Sequence, residues 1–250
     1  GKTTTVINLA TALTLQNKKV LVIDLDPQGN ATTGFGITPE DRGKTIYDVL
    51  NGSCNFRESI KDTKIDKLKI VTSNVDLSGL EVETASENRR AFLLKDKIQD
   101  FINSNENDFS YILIDCPPSL SLLAIMALVV AKSLIVPLQT EFFALEGLSQ
   151  LLKTIDRIKV KLNPELVIRG VLLTMFDKRN KLSAQVDTEA RNFFKNKVYQ
   201  TVIPRNVRLS EAPSHGIPVL IYDKNCIGSK SYLRFADEFI KQENIMESAA

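Results

Sequence analysis

The chain has 250 residues, 43% of them hydrophobic and 25% charged. These proportions exclude a disordered tail, a collagen or a mini-protein that needs staples. Its 32 Lys+Arg against 30 Asp+Glu leave a net charge of +2, so any nucleic-acid binding must come from a local patch and not from the global field. Cys54, Cys116 and Cys226 are far apart and form no C-x-x-C pair, which argues against a disulfide framework, a zinc ribbon or an iron–sulfur ligand set and fits a reducing cytosol. His215 is the single histidine, which makes a His-based metal site improbable.

In chain order, Val6, Leu9, Ala10 and Leu13 recur at helical steps and predict a helix from Thr3 to Gln16. The continuous apolar run Lys19 to Asp24 predicts a strand buried on both faces, ended by Pro27 and Gly29. Residues 30–66 are polar and turn-rich, with a short helix expected at Thr45–Leu50. Strands follow at Leu68–Val71 and Tyr111–Asp115, separated by a helix from Glu81 to Asn103. The apolar stretch Leu122–Ala131 is too short to span a bilayer and reads as a core helix. Strands at Ser133–Leu138, Val167–Met175 and Tyr199–Ile203 alternate with helices near residues 144–160, 183–195 and 230–243. Strand–helix alternation with no linker predicts one α/β domain over 1–250, with a mainly parallel sheet flanked by helices.

Ligands of open α/β sheets sit beyond the carboxyl ends of the strands. Gly1-Lys2-Thr3-Thr4-Thr5 matches the end of the P-loop pattern G-x-x-x-x-G-K-[ST], whose backbone N–H groups, lysine and hydroxyl serve phosphates and Mg2+. Alone, it also fits a helix opened by a threonine cap. Asp24 and Asp26 at one strand tip, and Asp115 at another, add carboxylates placed to act on a nucleotide's metal or water, though Asp-Pro and Gly also build ordinary turns. The three features in this order point to nucleotide binding.

Five segments carry a resemblance: G-K-T-T-T, V-L-V-I-D-L-D-P-Q-G-N-A-T, Y-I-L-I-D-C-P-P-S-L, P-L-Q-T-E-F-F-A-L-E-G-L and T-V-I-P-R-N-V-R-L-S-E-A-P-S-H-G. Over Gly1 to about Ile240 the chain resembles the ParA/Soj family of chromosome- and plasmid-partitioning ATPases, P-loop NTPases of the deviant Walker A class. The resemblance implies ATP and Mg2+ as cofactors. It implies Gly1, Lys2, Thr3 and Thr4 at the phosphates, Thr3 and Asp115 at the metal, Asp115 directly or through water, and Lys2 and Asp26 in catalysis. Asp24 would be an acidic neighbour, and Pro204 and Asn206 would lie near the adenine. Arg179 and Arg208, with Lys181 beside them, match DNA-contacting positions.

It further implies an ATP-bound homodimer on nonspecific double-stranded DNA and a ParB/Spo0J-type centromere-binding partner that stimulates slow hydrolysis. The expected location is cytoplasmic and nucleoid-associated, with no membrane binding. The family's signature lysine, the start of its loop and a first central strand would precede Gly1, so the chain as written is expected to bind nucleotide poorly. A MinD-like membrane switch is the alternative, disfavoured by Asp237, Glu238, Glu243 and Glu247, which make the C-terminal region acidic. His215 reads as a turn residue and Cys116 as an inert small side chain.

Overall fold

The computed structural model describes residues 1–104, 107–141 and 144–247. Helix α1 (Lys2–Leu15) leads into β1 (Val20–Asp24), α2 (Asn30–Gly34) and α3 (Ile46–Leu50). Next come β2 (Ile60–Asp62), β3 (Leu68–Val71), α4 (Leu80–Glu83), α5 (Leu93–Asn103), β4 (Tyr111–Asp115), α6 (Leu122–Val130) and β5 (Ser133–Gln139). The chain continues through α7 (Ala144–Lys161), β6 (Val167–Thr174), α8 (Lys181–Phe194), α9 (Val207–Glu211), α10 (Val219–Tyr222) and α11 (Ile227–Glu247).

The strands form two sheets, one in the order β2-β3-β1-β4 and one pairing β5 with β6. All pairs are parallel except β2 against β3, which is antiparallel. Parallel strands need cover on both faces. Accordingly Val20 and Val22 enter one apolar cluster with α1 and α11, while Leu21 and Ile23 enter a second with α3, α5 and α6. All five β1 residues are buried. On β4, Tyr111 to Ile114 are half-buried, and among the described residues β4 pairs with β1. Helix α1 packs over both sheets, its cluster taking Leu113 of β4 as well as Ile135 of β5 and Leu172 of β6.

Three expectations need correction. The helix expected over 81–103 is two helices, α4 and α5, separated by turns at residues 84–89. The expected strand Tyr199–Ile203 is not one. Tyr199 N–H donates to Val171 O and Ile203 N–H to Leu173 O, but the isolated bridges lie just outside the segment, at Val198 and Pro204. The short β2 was not expected, and its antiparallel pairing makes the sheet mixed.

Candidate nucleotide site and basic surface

The first turn of α1 points its N–H groups outward with no side-chain cap from Gly1. Such free donors make a helix start an anion site. Lys2 Nζ donates to Pro117 O at 2.8 Å, which holds the ammonium against the loop after β4. Thr3 and Thr4 are half-buried in the same turn. A Cβ at Gly1 would come 3.0 Å from Thr174 Oγ1 at the end of β6, an atom that is buried without a hydrogen-bond partner.

Asp24 and Asp115 are register partners across β1 and β4, so two carboxylates stand side by side at the strand tips. Their environments differ. Asp24, fully buried, accepts from Thr32 N–H at 2.8 Å, Thr32 Oγ1 at 2.7 Å and Asp26 N–H at 3.2 Å. Burial raises its pKa, and the Thr32 bonds oppose the rise. Asp24 therefore anchors α2 to β1. Thr32 Oγ1 also accepts from Ser73 N–H at 3.2 Å, which extends the anchor to the end of β3. Asp115 is 1% exposed, and neither of its oxygens closes a hydrogen bond. Burial pushes its carboxyl up to about 7, Asp24 adds to the rise and the Thr3 hydroxyl opposes it. Two orphaned hard oxygens beside a threonine hydroxyl fit Mg2+, which keeps waters and phosphate oxygens for its remaining positions.

Asp26, 6% exposed, accepts from Gln28 N–H at 3.0 Å on Oδ1. Its turn closes through Gly29 N–H to Asp26 O at 2.8 Å, with Gly29 at φ +64°. The positive φ favours glycine here, and a Cβ would also meet the Arg42 guanidinium at 2.6 Å and push that side chain aside. Arg42 in turn donates to Ser73 O at 2.8 Å and braces this turn from above. No motif singled out Arg42. The thiol of Cys116, pushed up to about 12 by burial and by Asp115, is inert.

Beyond β6, Phe176 bridges Pro204, with Phe176 N–H to Ile203 O at 3.1 Å and Arg205 N–H to Phe176 O at 3.0 Å. These bonds bring loops 175–180 and 203–206 together, at the same end of the strands as Gly1. Lys178, Arg179, Lys181, Arg205 and Arg208 are all exposed there. Pro204 is half-buried, and Asn206 stands just before α9 with its Oδ1 buried and unpartnered. His215 is an exposed residue whose ring stacks on Tyr222 at 4.9 Å. A cleft of about 460 Å³ lies at the opposite end of the sheet, among Lys19, Asp62, Lys69 and Asp108, away from all of these residues.

A family model described as an AAA domain matches residues 1–168. The chain is 50% identical over 250 residues to the chromosome partitioning protein ParA of Caulobacter vibrioides, covering 100% of this chain and 93% of that one. It is 46% identical over 238 residues to the sporulation initiation inhibitor protein Soj of Bacillus subtilis, covering 95% and 92%. Among solved structures, cobyrinic acid a,c-diamide synthase from Mycobacterium smegmatis with bound ADP and magnesium is similar at TM-score 0.82 and 31% identity, covering 97% and 90%. The cell division ATPase MinD of Pyrococcus furiosus is similar at TM-score 0.77 and 26% identity, covering 96% and 93%.

Proposed function

Because this chain belongs to the ParA/Soj family of partitioning ATPases, we propose that it is a DNA-segregation switch, in which bound ATP assembles a homodimer that coats DNA without reading its sequence. The chain is an ATPase of the P-loop class that uses ATP and Mg2+. The proposal extends to its residues and partners, and to residues 1–250 acting as one nucleotide-binding unit.

Gly1, Lys2, Thr3 and Thr4 would hold the phosphates, through the free N–H groups of the first turn of α1 and the Lys2 charge. Thr3 and Asp115 would hold Mg2+, directly or through water on the Asp115 side. When bound, the metal neutralises charge on the phosphate oxygens. Asp26 has one oxygen engaged by Gln28 and keeps the other to accept a proton from a water and orient it. Asp24, with three hydrogen bonds already made, positions Asp26 and α2 and does not meet the water itself. Pro204 and Asn206 would border the adenine.

The observation that carries the DNA reading is the Phe176–Pro204 bridge. It brings the loop that leads to Arg179 and Lys181 beside the loop that leads to Arg208, and all three side chains are exposed, which supports a shared phosphate-binding surface. Cations of this kind grip phosphates and read no bases. A ParB/Spo0J-type partner would stimulate hydrolysis and release the dimer from nucleoid DNA in the cytoplasm. Among the described residues no helix is long and apolar enough to cross a membrane.

The test is fluorescence anisotropy with ATP and Mg2+ on two unrelated duplexes across a salt series. Two arginines per protomer give four phosphate contacts per dimer, so log affinity should fall with log salt at a slope of about −3 to −4. That is roughly a 10²-fold loss between about 50 and 200 mM salt. Arg179→Glu or Arg208→Glu should weaken binding on both duplexes equally. Unchanged affinity in both variants, or strong preference for one duplex, would refute the reading.

A further inference from the structure

The two arginines that carry the DNA reading are also the cations of that surface that the chain itself restrains. Arg179 forks onto Asp177, with Nε to Oδ1 at 3.1 Å and Nη2 to Oδ2 at 3.0 Å. The Arg179 backbone N–H adds a third bond to Oδ1 at 3.0 Å. These bonds hold the Asp177 carboxyl down to about 2, so it stays ionised at any working pH. Arg208 Nη1 donates to Glu211 Oε2 at 2.9 Å, and its Nε lies 3.6 Å from Asp223 Oδ2. Its guanidinium also sits over the Tyr222 ring, 5.9 Å from the centroid, and the Tyr222 hydroxyl donates to the same Glu211 oxygen at 3.4 Å. Lys178, Lys181 and Arg205 form no side-chain ion pair among the described residues, although they share the same loops.

We propose that Asp177 and Glu211 are attenuators of DNA binding, each neutralising one phosphate-contacting arginine in the DNA-free protein. The inference rests on the reading that Arg179 and Arg208 meet phosphates. An arginine–carboxylate pair is neutral as a unit. A phosphate must either displace the carboxylate or bind with a like charge beside it. Both arrangements weaken the contact. The loop after β6 and the short helix α9 repeat the arrangement with two different acids. Lys178, Lys181 and Arg205 remain to steer the duplex in, so the design lowers the strength of the grip and leaves the attraction. A switch that must let go of DNA gains from contacts that an internal acid stands ready to replace.

The experiment is a pair of double-mutant cycles read by anisotropy on one duplex with ATP and Mg2+ at fixed salt. One cycle uses Asp177→Asn, Arg179→Gln and both together. The other uses Glu211→Gln, Arg208→Gln and both together. Exposed ion pairs of this kind are worth at most about a fivefold factor each. A dimer that presents the pair twice should therefore bind DNA up to about 25-fold more tightly in Asp177→Asn. The gain should vanish when Arg179→Gln is already present, because the acid acts through its arginine. Size-exclusion chromatography with ATP confirms that each variant still dimerises.

Weaker binding in Asp177→Asn and Glu211→Gln would mean that the acids aim the arginines at phosphate, which overturns attenuation. Unchanged binding in these variants, with Arg179→Gln and Arg208→Gln still weakened, overturns attenuation and leaves the DNA reading standing. A gain that survives intact in the arginine variants reports only a changed net charge and also overturns it. If neither arginine variant loses affinity, the DNA reading itself fails, and attenuation fails with it.

Discussion

Asp115 should be a liability to the empty protein. Its carboxyl titrates at about 7 against 3.8 for the free side chain, mainly because burial penalises the charge. Between those values the folded state holds a proton that the unfolded state has lost. Stability therefore falls as pH rises across that window, and the loss is complete above pH 7. A rise of roughly three units at about 1.4 kcal/mol each makes the burden at pH 8 on the order of 4 kcal/mol. Asp115→Asn keeps the shape and removes the charge. Without nucleotide or divalent metal, the variant should be more stable than the parent at pH 8 by up to that amount, and nearly equal to it at pH 4. Urea unfolding at the two pH values, with EDTA present, measures the difference. With Mg2+ and ATP the order should invert, because only the parent offers the metal an anionic oxygen. A variant no more stable than the parent at pH 8 would refute the argument that the two orphaned oxygens are a cost carried for the ligand.

In the full-length protein, Lys2→Ala should abolish ATP binding and with it ATP-dependent dimers, whereas Asp26→Ala should still bind ATP and accumulate trapped dimers; size-exclusion runs with ATP separate the two, and failure of Asp26→Ala to dimerise would assign Asp26 to binding. Gly216→Ala should cost roughly 1–3 kcal/mol in urea unfolding, since Gly216 has φ +63° and its new Cβ would lie 2.7 Å from the Gly36 Cα.

The elements most legible in the sequence are those whose burial is most complete. β1 and most of β3 are buried and appear as short apolar runs, and β4 shows the same run although Tyr111 to Ile114 are half-buried; α1, buried from Ile7 to Thr14, shows its three- and four-residue spacing in Val6, Leu9, Ala10 and Leu13. β2 was invisible: Ile60-Lys61-Asp62 is too short to show a period, and only pairing with β3 makes it a strand. The break between α4 and α5 carries neither Gly nor Pro, so nothing local marks it. Tyr199–Ile203 has a strand's composition, but it bonds to β6 only at intervals.

The site divides in the same way. Lys2, Asp26 and Asp115 stand in recognisable spacings after strands or at a helix start. The pairing of Asp24 with Asp115 joins residues far apart in the chain, and it is set by the register of β1 on β4, which no local pattern encodes. Arg42 donates to Ser73, which no motif names, and Asp177 and Glu211 pair with arginines whose own roles are legible; ordinary surface charges look the same until the fold places them.

Helix α1 packs in one apolar cluster with strands of both sheets. Its amino end is where phosphates would be held, and its flank packs against α11, where the Tyr232 hydroxyl lies 3.2 Å from Thr5 Oγ1. A ligand that grips the first turn of α1 therefore acts on a helix packed against β1 and β4 of one sheet and β5 and β6 of the other. The ordering it exacts on that helix is ordering that a second ligand, bound beyond β6, no longer has to supply.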